Sequence, residues 1–508
     1  MNNLQMLKKA MLAYVSAVKF IWSEIAYPLS IVGKKFMNLR GYRVYGNSIQ
    51  DGTPTPETPV EIQSVGDLTK NLFDTQGWYS WLRTFTTTYV QKQVVDGISC
   101  IYYRPSSTFN KEYMKGQFKV NTRYTISFRA KGIIGTDYST GFRFMYTDGT
   151  STSVSVSNDD TWNEYTLTSI SGKTIDNIQM FLNYPQGCYF DENSIQLEEG
   201  TTATDYEPYH KYKIPVVARG KNMFDGSSSE GNGKYLNSNG VLGSGIDNLR
   251  VTDYITIPSG VSSLTFSFKG EVMNYPSICL YDDSKNYITG KRYGGIRNTN
   301  ISVPSNAKYV RCSYRTVNTD IQLEGGSTKT EYEPYIATVT TNIYLNEPLR
   351  KVGNYADYID FEKQKVVRRI EVMTLDGDES RLYTLTPTRP QEGYSCYRYM
   401  FSVAQGSWAC LCDKIPYKEG GYSAATSGTC ISFNSTRINL IFKIPTDWAS
   451  TVDELKTWLA ANPCTVYYVI NPSIEETVTL PVLPQFKGTT IYEVGTNIKP
   501  SGMEAKYC

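Results

Sequence analysis

The sequence predicts a mainly β, multidomain chain: an N-terminal helix, tandem β-sandwich modules of the jelly-roll kind, and a β-rich C-terminal domain with one short helix. Three observations carry this. Tyr outnumbers Phe by 41 to 19, while 39 Gly and 22 Pro punctuate the chain at short intervals, the usage of half-exposed strands joined by tight turns. Apolar residues alternate with period two through most of the length. A pair of boundary motifs also recurs in the same order, which marks tandem homologous modules.

The 508 residues suffice for three or four domains. With 40% hydrophobic and 20% charged residues, the chain can bury real cores. Its 51 Lys+Arg and 49 Asp+Glu leave a formal charge of +2, so no global field draws it to nucleic acid or an anionic membrane.

The helix is expected within residues 1–33. Leu4, Leu7, Met11, Tyr14, Val18, Ile21 and Ile25 follow a heptad spacing over three repeats. Leu12, Val15, Phe20 and Trp22 widen the apolar face, which suits a homo-oligomer, a trimer before a dimer, or docking on a larger assembly. Lys8, Lys9, Lys19 and Glu24 interrupt any membrane span. A signal peptide would need a cleavage site of small residues, and none follows clearly.

Residues 34–69 form a connector. Asp51 to Pro59 is Pro- and Thr-rich, too stiff for helix. The pieces 41–45 and 60–65 read as strands flanking it.

Next come the modules. Lys70-Asn-Leu-Phe-Asp74 returns 151 positions on as Lys221-Asn-Met-Phe-Asp225, and Ile195-Gln-Leu-Glu returns 126 positions on as Ile321-Gln-Leu-Glu, each closing in Tyr-Glu-Pro-Tyr, at Tyr209 and Tyr335. The first module is placed at 70–209 and the second at 210–335, with the second copy 25 residues shorter between motifs. Alternating runs at 124–130 and 141–147 answer 264–269 and 277–282, with turns at Asp148-Gly149 and Asp282-Asp283-Ser284.

The remaining 336–508 is β-rich. Thr451-Val-Asp-Glu454 is a capping box that opens a short helix, which Pro463 stops. The extended finish fits either an intertwined oligomer or one last sheet strand.

The chemistry is sparse. His210 is the sole histidine, which excludes any multi-histidine metal site; its polar surroundings mark a linker residue. The ten cysteines form no C-x-x-C, and most lie in strand-like runs, so they read as free buried thiols. No G-x-S-x-G, P-loop, H-E-x-x-H or EF-hand motif is present. A glycosidase carboxylate pair requires a spatial separation that sequence does not give. The adjacent acids Glu198-Glu199 and Asp159-Asp160 would point to opposite faces of a strand and are expected to be solvated surface. The expectation is therefore a non-enzyme.

An Asn-Leu-Phe-Asp start, a strand-rich body and the final Cys188-Tyr-Phe-Asp-Glu192 resemble jelly-roll carbohydrate-binding modules. The I-Q-L-E-x-G-x-x-x-T-x-Y-E-P-Y closing motif and the stretch Asn38 to Pro56 are similar to segments of tail and minor structural proteins of bacteriophages infecting Gram-positive hosts. The likeness covers roughly 38–335 and returns at the C-terminus. It implies a virion protein of a phage tail (fibre, tip or baseplate), assembled in the host cytoplasm. Its partners would be itself, other tail or baseplate proteins and a host cell-surface glycan.

The resemblance also implies that Asp74, Asp191 and Glu192 can hold a structural Ca²⁺ through oxygen ligands. For sugar, an aromatic platform is wanted, since the C–H face of the ring lies on an aromatic face. Trp78, Tyr79 and Trp81, followed by Tyr102 and Tyr103, are the candidates in the first module; Tyr275, Tyr287 and Tyr293 are the weaker set in the second. The plainer alternative makes all of them ordinary strand residues and both modules inert spacers. A cell-wall hydrolase and a secreted adhesin are the remaining alternatives.

Overall fold

The computed structural model describes residues 43–504, except 86–87, 106–108, 134–139, 183–186, 259, 275–276, 379, 381, 385–390, 420–427 and 435. The expected N-terminal helix and Tyr275 lie outside the described residues. What is described is mainly β with two helices.

Two sheets form a hub built from distant parts of the chain. In one, Arg43–Tyr45 lies between Tyr358–Asp360 and Gly502–Glu504, and the sheet continues through Lys365–Leu375 and Cys464–Thr477 to Cys410–Cys412. In the other, Tyr212–Gly220 lies between Val339–Leu345 and Thr490–Val494, with Asp67–Leu68 at its start. The pattern of Tyr212–Gly220 explains its place: Ile214, Val216 and Ala218 alternate inward at zero exposure. Ile214 and Val216 meet Val44, Ile343, Ile359, Val366 and Leu483 in a shared core. The C-terminal stretch thus supplies ordinary sheet strands to its own chain. The hub draws on residues within all three spans 34–69, 210–335 and 336–508.

Everything else is inserted between hub strands. Residues 70–209 leave after Asp67–Leu68 and return at Tyr212–Gly220. Residues 221–335 leave there and return at Val339–Leu345. Residues 376–463 interrupt Lys365–Leu375 and Cys464–Thr477, and within them Cys410–Cys412 returns to the edge of the hub sheet. In that last insertion, α2 (Val452–Ala461) begins at the capping box, with Thr451 Oγ1 accepting the Glu454 N–H at 3.2 Å and Glu454 accepting the Ser450 N–H at 2.7 Å.

The first module is a β-sandwich. Its smaller sheet runs Ser151–Val156, Thr140–Tyr146, Ile175–Leu182, Phe109–Tyr113; its larger runs Trp162–Thr168, Tyr124–Lys131, Cys188–Asp191, Ile98–Pro105, Thr88–Val95, with Gln196–Glu199 also on Tyr124–Lys131. Phe128, Phe142, Phe144 and Phe190 fill the space between them. One element was not foreseen: α1 (Thr75–Leu82) closes an end of the sandwich, with Trp78 and Leu82 facing into the core. The second module pairs a three-stranded sheet (Asn298–Ser302, Ser263–Lys269, Thr319–Gly325) with a five-stranded one centred on Ser277–Tyr281 and Tyr309–Arg315.

The repeated motifs turn out to be the seam that shuts each module. Asn71 Nδ2 donates to the carbonyls of Ile195 and Glu207, and its Oδ1 accepts the N–H groups of Phe73 and Leu197. Asn222 does the same with Ile321, Glu333, Phe224 and Leu323. Beside it, Gln196 bonds Glu198, whose carboxylate takes the Thr204 N–H and Oγ1–H; Gln322, Glu324 and Thr330 repeat the pattern. The expectation of a solvated surface fails for Glu198, which the structure buries with these bonds. Entry and exit segments are joined because each buried asparagine bonds backbone groups of both.

Candidate functional site

The aromatic residues singled out in the first module separate by burial. Trp78 is 1% exposed and meets Phe73 and Phe190 edge-on at 5.7 and 5.6 Å. Tyr103 has no exposure. Neither can offer a ring face to a ligand, so both leave the expected platform. Trp81 is half-buried against Phe85 and Tyr113, at 5.0 and 5.2 Å. Tyr79 is flanked by Arg83 and Lys92, 5.6 and 5.3 Å from its ring centre. The reason is α1: positions 75, 78 and 82 share one helical face, and that face is the buried one.

Tyr102 behaves differently. Along Ile98–Pro105, Ile101 and Tyr103 turn inward, so Tyr102 turns out. Directly opposite it stands Tyr189, with ring centres 5.0 Å apart and planes 36° apart. Tyr89, 52% exposed, meets Tyr102 edge-on at 6.0 Å and donates its hydroxyl proton to Gln91 Oε1 at 2.6 Å. Gln91 is Tyr102's neighbour on the other side. The row continues through Lys131, opposite Tyr189, to Trp162, opposite Lys131. Arg129 lies 5.5 Å from the Trp162 ring, and Arg104 lies 5.9 Å from that of Tyr89. From Trp162 to Tyr89 the face crosses four strand spacings of about 4.8 Å, roughly 19 Å in all.

Three of these aromatics, Tyr89, Tyr189 and Trp162, were not picked out from sequence. The available signal was their outward parity in alternating strands. Among the described residues the second module shows no such row: its three-stranded sheet exposes Asn298, Asn300 and Ser302. There Tyr293 is a core residue at 1% exposure, and Tyr287, 40% exposed, bonds the Ser238 carbonyl.

The three expected calcium ligands are engaged within the protein. Asp74 caps α1, its Oδ1 accepting the Gly77 N–H at 2.9 Å. Asp191 Oδ1 accepts the Asn193 N–H at 3.0 Å, and Glu192 pairs with Lys92 at 2.6 Å and takes the Ser99 hydroxyl. Among the described residues, one group of three potential ligands comes within 4.8 Å, and it is Cys412, Asp413 and Cys464. Asp413 Oδ1 already accepts the Thr465 N–H at 2.8 Å. Cys412 and Cys464 belong to the hydrophobic core of this region, and a hydrogen bond with Cys412, together with burial, pushes the Cys464 thiol up. The nine described cysteines are buried and form no disulfide with one another. His210 sits exposed at the turn leaving the first module, with φ of +50°.

The class that fold and face define is a mainly β chain of sandwich modules with one open aromatic row. No family model matches the chain, and no curated protein does. Among solved structures it is similar to the N-terminal CBM22-1–CBM22-2 tandem domain of Xyn10C from Paenibacillus barcinonensis, at 12% identity over 48% of this chain and 92% of that one, with a TM-score of 0.17. A TM-score that low carries no argument about fold or function.

Proposed function

We propose that this chain is a non-enzymatic attachment protein of a phage tail, which binds a host cell-surface glycan through the Tyr89–Tyr102–Tyr189 face of its first module. The observation that carries the reading is that row: three tyrosines and Trp162 held outward on a rigid sheet, beside Arg and Gln side chains that can bond hydroxyls. The virion assignment rests on the motif resemblance, and the trimer on the N-terminal heptads. Light scattering of the full chain is expected to return about three times its 57.3 kDa; a monomer would end the trimer proposal.

Each stacked ring contributes about 1–3 kcal/mol, by analogy with base–aromatic stacking. One face then binds weakly, and linked copies raise the affinity by about 10²–10⁴. The test is a pull-down on purified host cell wall with the full chain and with a Tyr102→Ala/Tyr189→Ala variant. Retention should fall at least tenfold while thermal unfolding moves little, because exposed cross-strand pairs stabilise by only about 0.2–1 kcal/mol each. Undiminished retention would remove this face from the site. No retention by any form would favour inert spacer modules.

A further inference from the structure

The two modules part company immediately after their shared opening motif. In the first, Asp74 caps α1. In the second, the chain after Asp225 runs on without helix through Gly226 and Ser227. Against that segment, where the second module meets the hub, lies a pocket of about 230 Å³. Its walls include Arg219 from the hub strand, Asp225, Ser227, Tyr254 and Thr256 from the module, and Tyr335 from the closing motif.

The lining has a definite chemistry. Asp225 Oδ1 accepts the Ser227 N–H at 3.0 Å, the Ser227 hydroxyl lies 2.8 and 2.9 Å from its Oδ1 and Oδ2, and among the described residues the carboxylate forms no ion pair. Arg219 bonds Glu493 at 2.9 and 3.0 Å, so its charge is already met. A phosphate would therefore face an uncompensated carboxylate without gaining a free cation. A neutral polyol gains a strong acceptor, since a hydroxyl given to an ionised carboxylate bonds more strongly than one given to a neutral oxygen. Tyr335, 41% exposed, supplies an aromatic surface. Tyr254 is a pre-ordered wall, meeting Tyr281 edge-on at 5.1 Å with Arg311 4.8 Å from its ring. The volume falls below the 300–1,000 Å³ or so of pockets for drug-sized ligands, which matches one sugar ring.

We infer that this pocket holds a single neutral monosaccharide unit, at a site separate from the tyrosine row of the first module. The inference rests on the glycan reading proposed above. Saturation-transfer NMR on the full chain with the methyl glycosides of glucose, galactose, N-acetylglucosamine and rhamnose tests it. At least one glycoside should receive saturation. The effect should fall at least fivefold in Asp225→Asn and in Tyr335→Ala, and persist in Tyr102→Ala/Tyr189→Ala. Tyr335→Ala removes a largely exposed ring, and an unshifted thermal transition will certify its fold. Saturation that survives both pocket variants, or none for any of the four glycosides, overturns the pocket and leaves the tyrosine row to its own wall assay. Loss of wall binding only in the tyrosine-row variant, with pocket binding intact, separates the two sites.

Discussion

Replacing Asn71 with alanine should open the first module at its seam and leave the second shut. The amide is 2% exposed and makes four hydrogen bonds of 2.9–3.1 Å to backbone groups on both sides of the closure. Alanine strands two carbonyls and two N–H groups. A buried group deprived of its partner costs about 1–3 kcal/mol; taking the low end for each gives about 4 kcal/mol. That is a large part of the roughly 5–15 kcal/mol that holds a domain together. At about 1.4 kcal/mol per decade, local opening becomes roughly a thousandfold more frequent. Hydrogen exchange of the full chain, resolved by mass spectrometry, reads this directly. Peptides spanning 70–82 and 195–207 should exchange far faster, while 221–226 and 321–333 keep wild-type protection. Asn222→Ala should give the mirror image. Seam peptides within threefold of wild type, or equal loosening of both modules by either substitution, would refute the reasoning.

Two further outcomes follow from the same structure. Burial lifts the Glu198 carboxyl, but bonds from Thr204 and Gln196 and the charge of Lys70 outweigh it and hold it below its ordinary 4.5; Glu333 is held down likewise, against burial, by Thr489 and Lys221. A carboxylate depressed on folding lends stability above its unfolded value and loses it as pH falls through its folded value. The melting temperature should therefore drop as pH is lowered from about 4.5, more shallowly in a Glu198→Gln/Glu333→Gln variant; parallel wild-type and variant curves would count against it. Burial also pushes the Cys100 and Cys279 thiols up to about 11, so at pH 8 Ellman's reagent should find at most one fast thiol in the native chain, Cys508 beyond the described residues, and ten after denaturation. Two or more fast thiols would contradict the buried placement.

Much of this fold was legible in the period-two sequence pattern; Tyr212–Gly220 and Asn298–Ser302 do alternate in burial, whereas Ser263–Lys269 and Ser277–Tyr281 are buried on both faces. The runs at 124–130 and 264–269 announced themselves by alternation, and the seam by its repetition. What stayed hidden depends on partners far along the chain. Tyr212–Gly220 follows the first module and precedes the second, yet its neighbours are Val339–Leu345 and Thr490–Val494. No local pattern specifies a pairing at such separation. Helix α1 escaped for another reason: eight residues with Gly77 inside have weak intrinsic helicity, and the tertiary burial of Trp78 and Leu82 holds it in place. The site suffered from parity. In Tyr102-Tyr103 only one ring can point outward, and the register against Cys188–Asp191 decides which.

The two modules can be read as an experiment already performed on one scaffold. Four side chains of the seam recur with matching bonds: Asn71 as Asn222, Gln196 as Gln322, Glu198 as Glu324 and Thr204 as Thr330. The features offered as binding sites do not recur. The tyrosine row needs Thr88–Val95, Ile98–Pro105 and Cys188–Asp191, and the sheet that answers it in the second module has only three strands, with polar residues exposed. The pocket of the second module lies beside Asp225, at the position where the first module begins α1. Closure is what both copies must do, so its residues are held in common. On the function proposed above, recognition is where each copy can differ without unfolding, and the surface row and the pocket are where the two copies do differ.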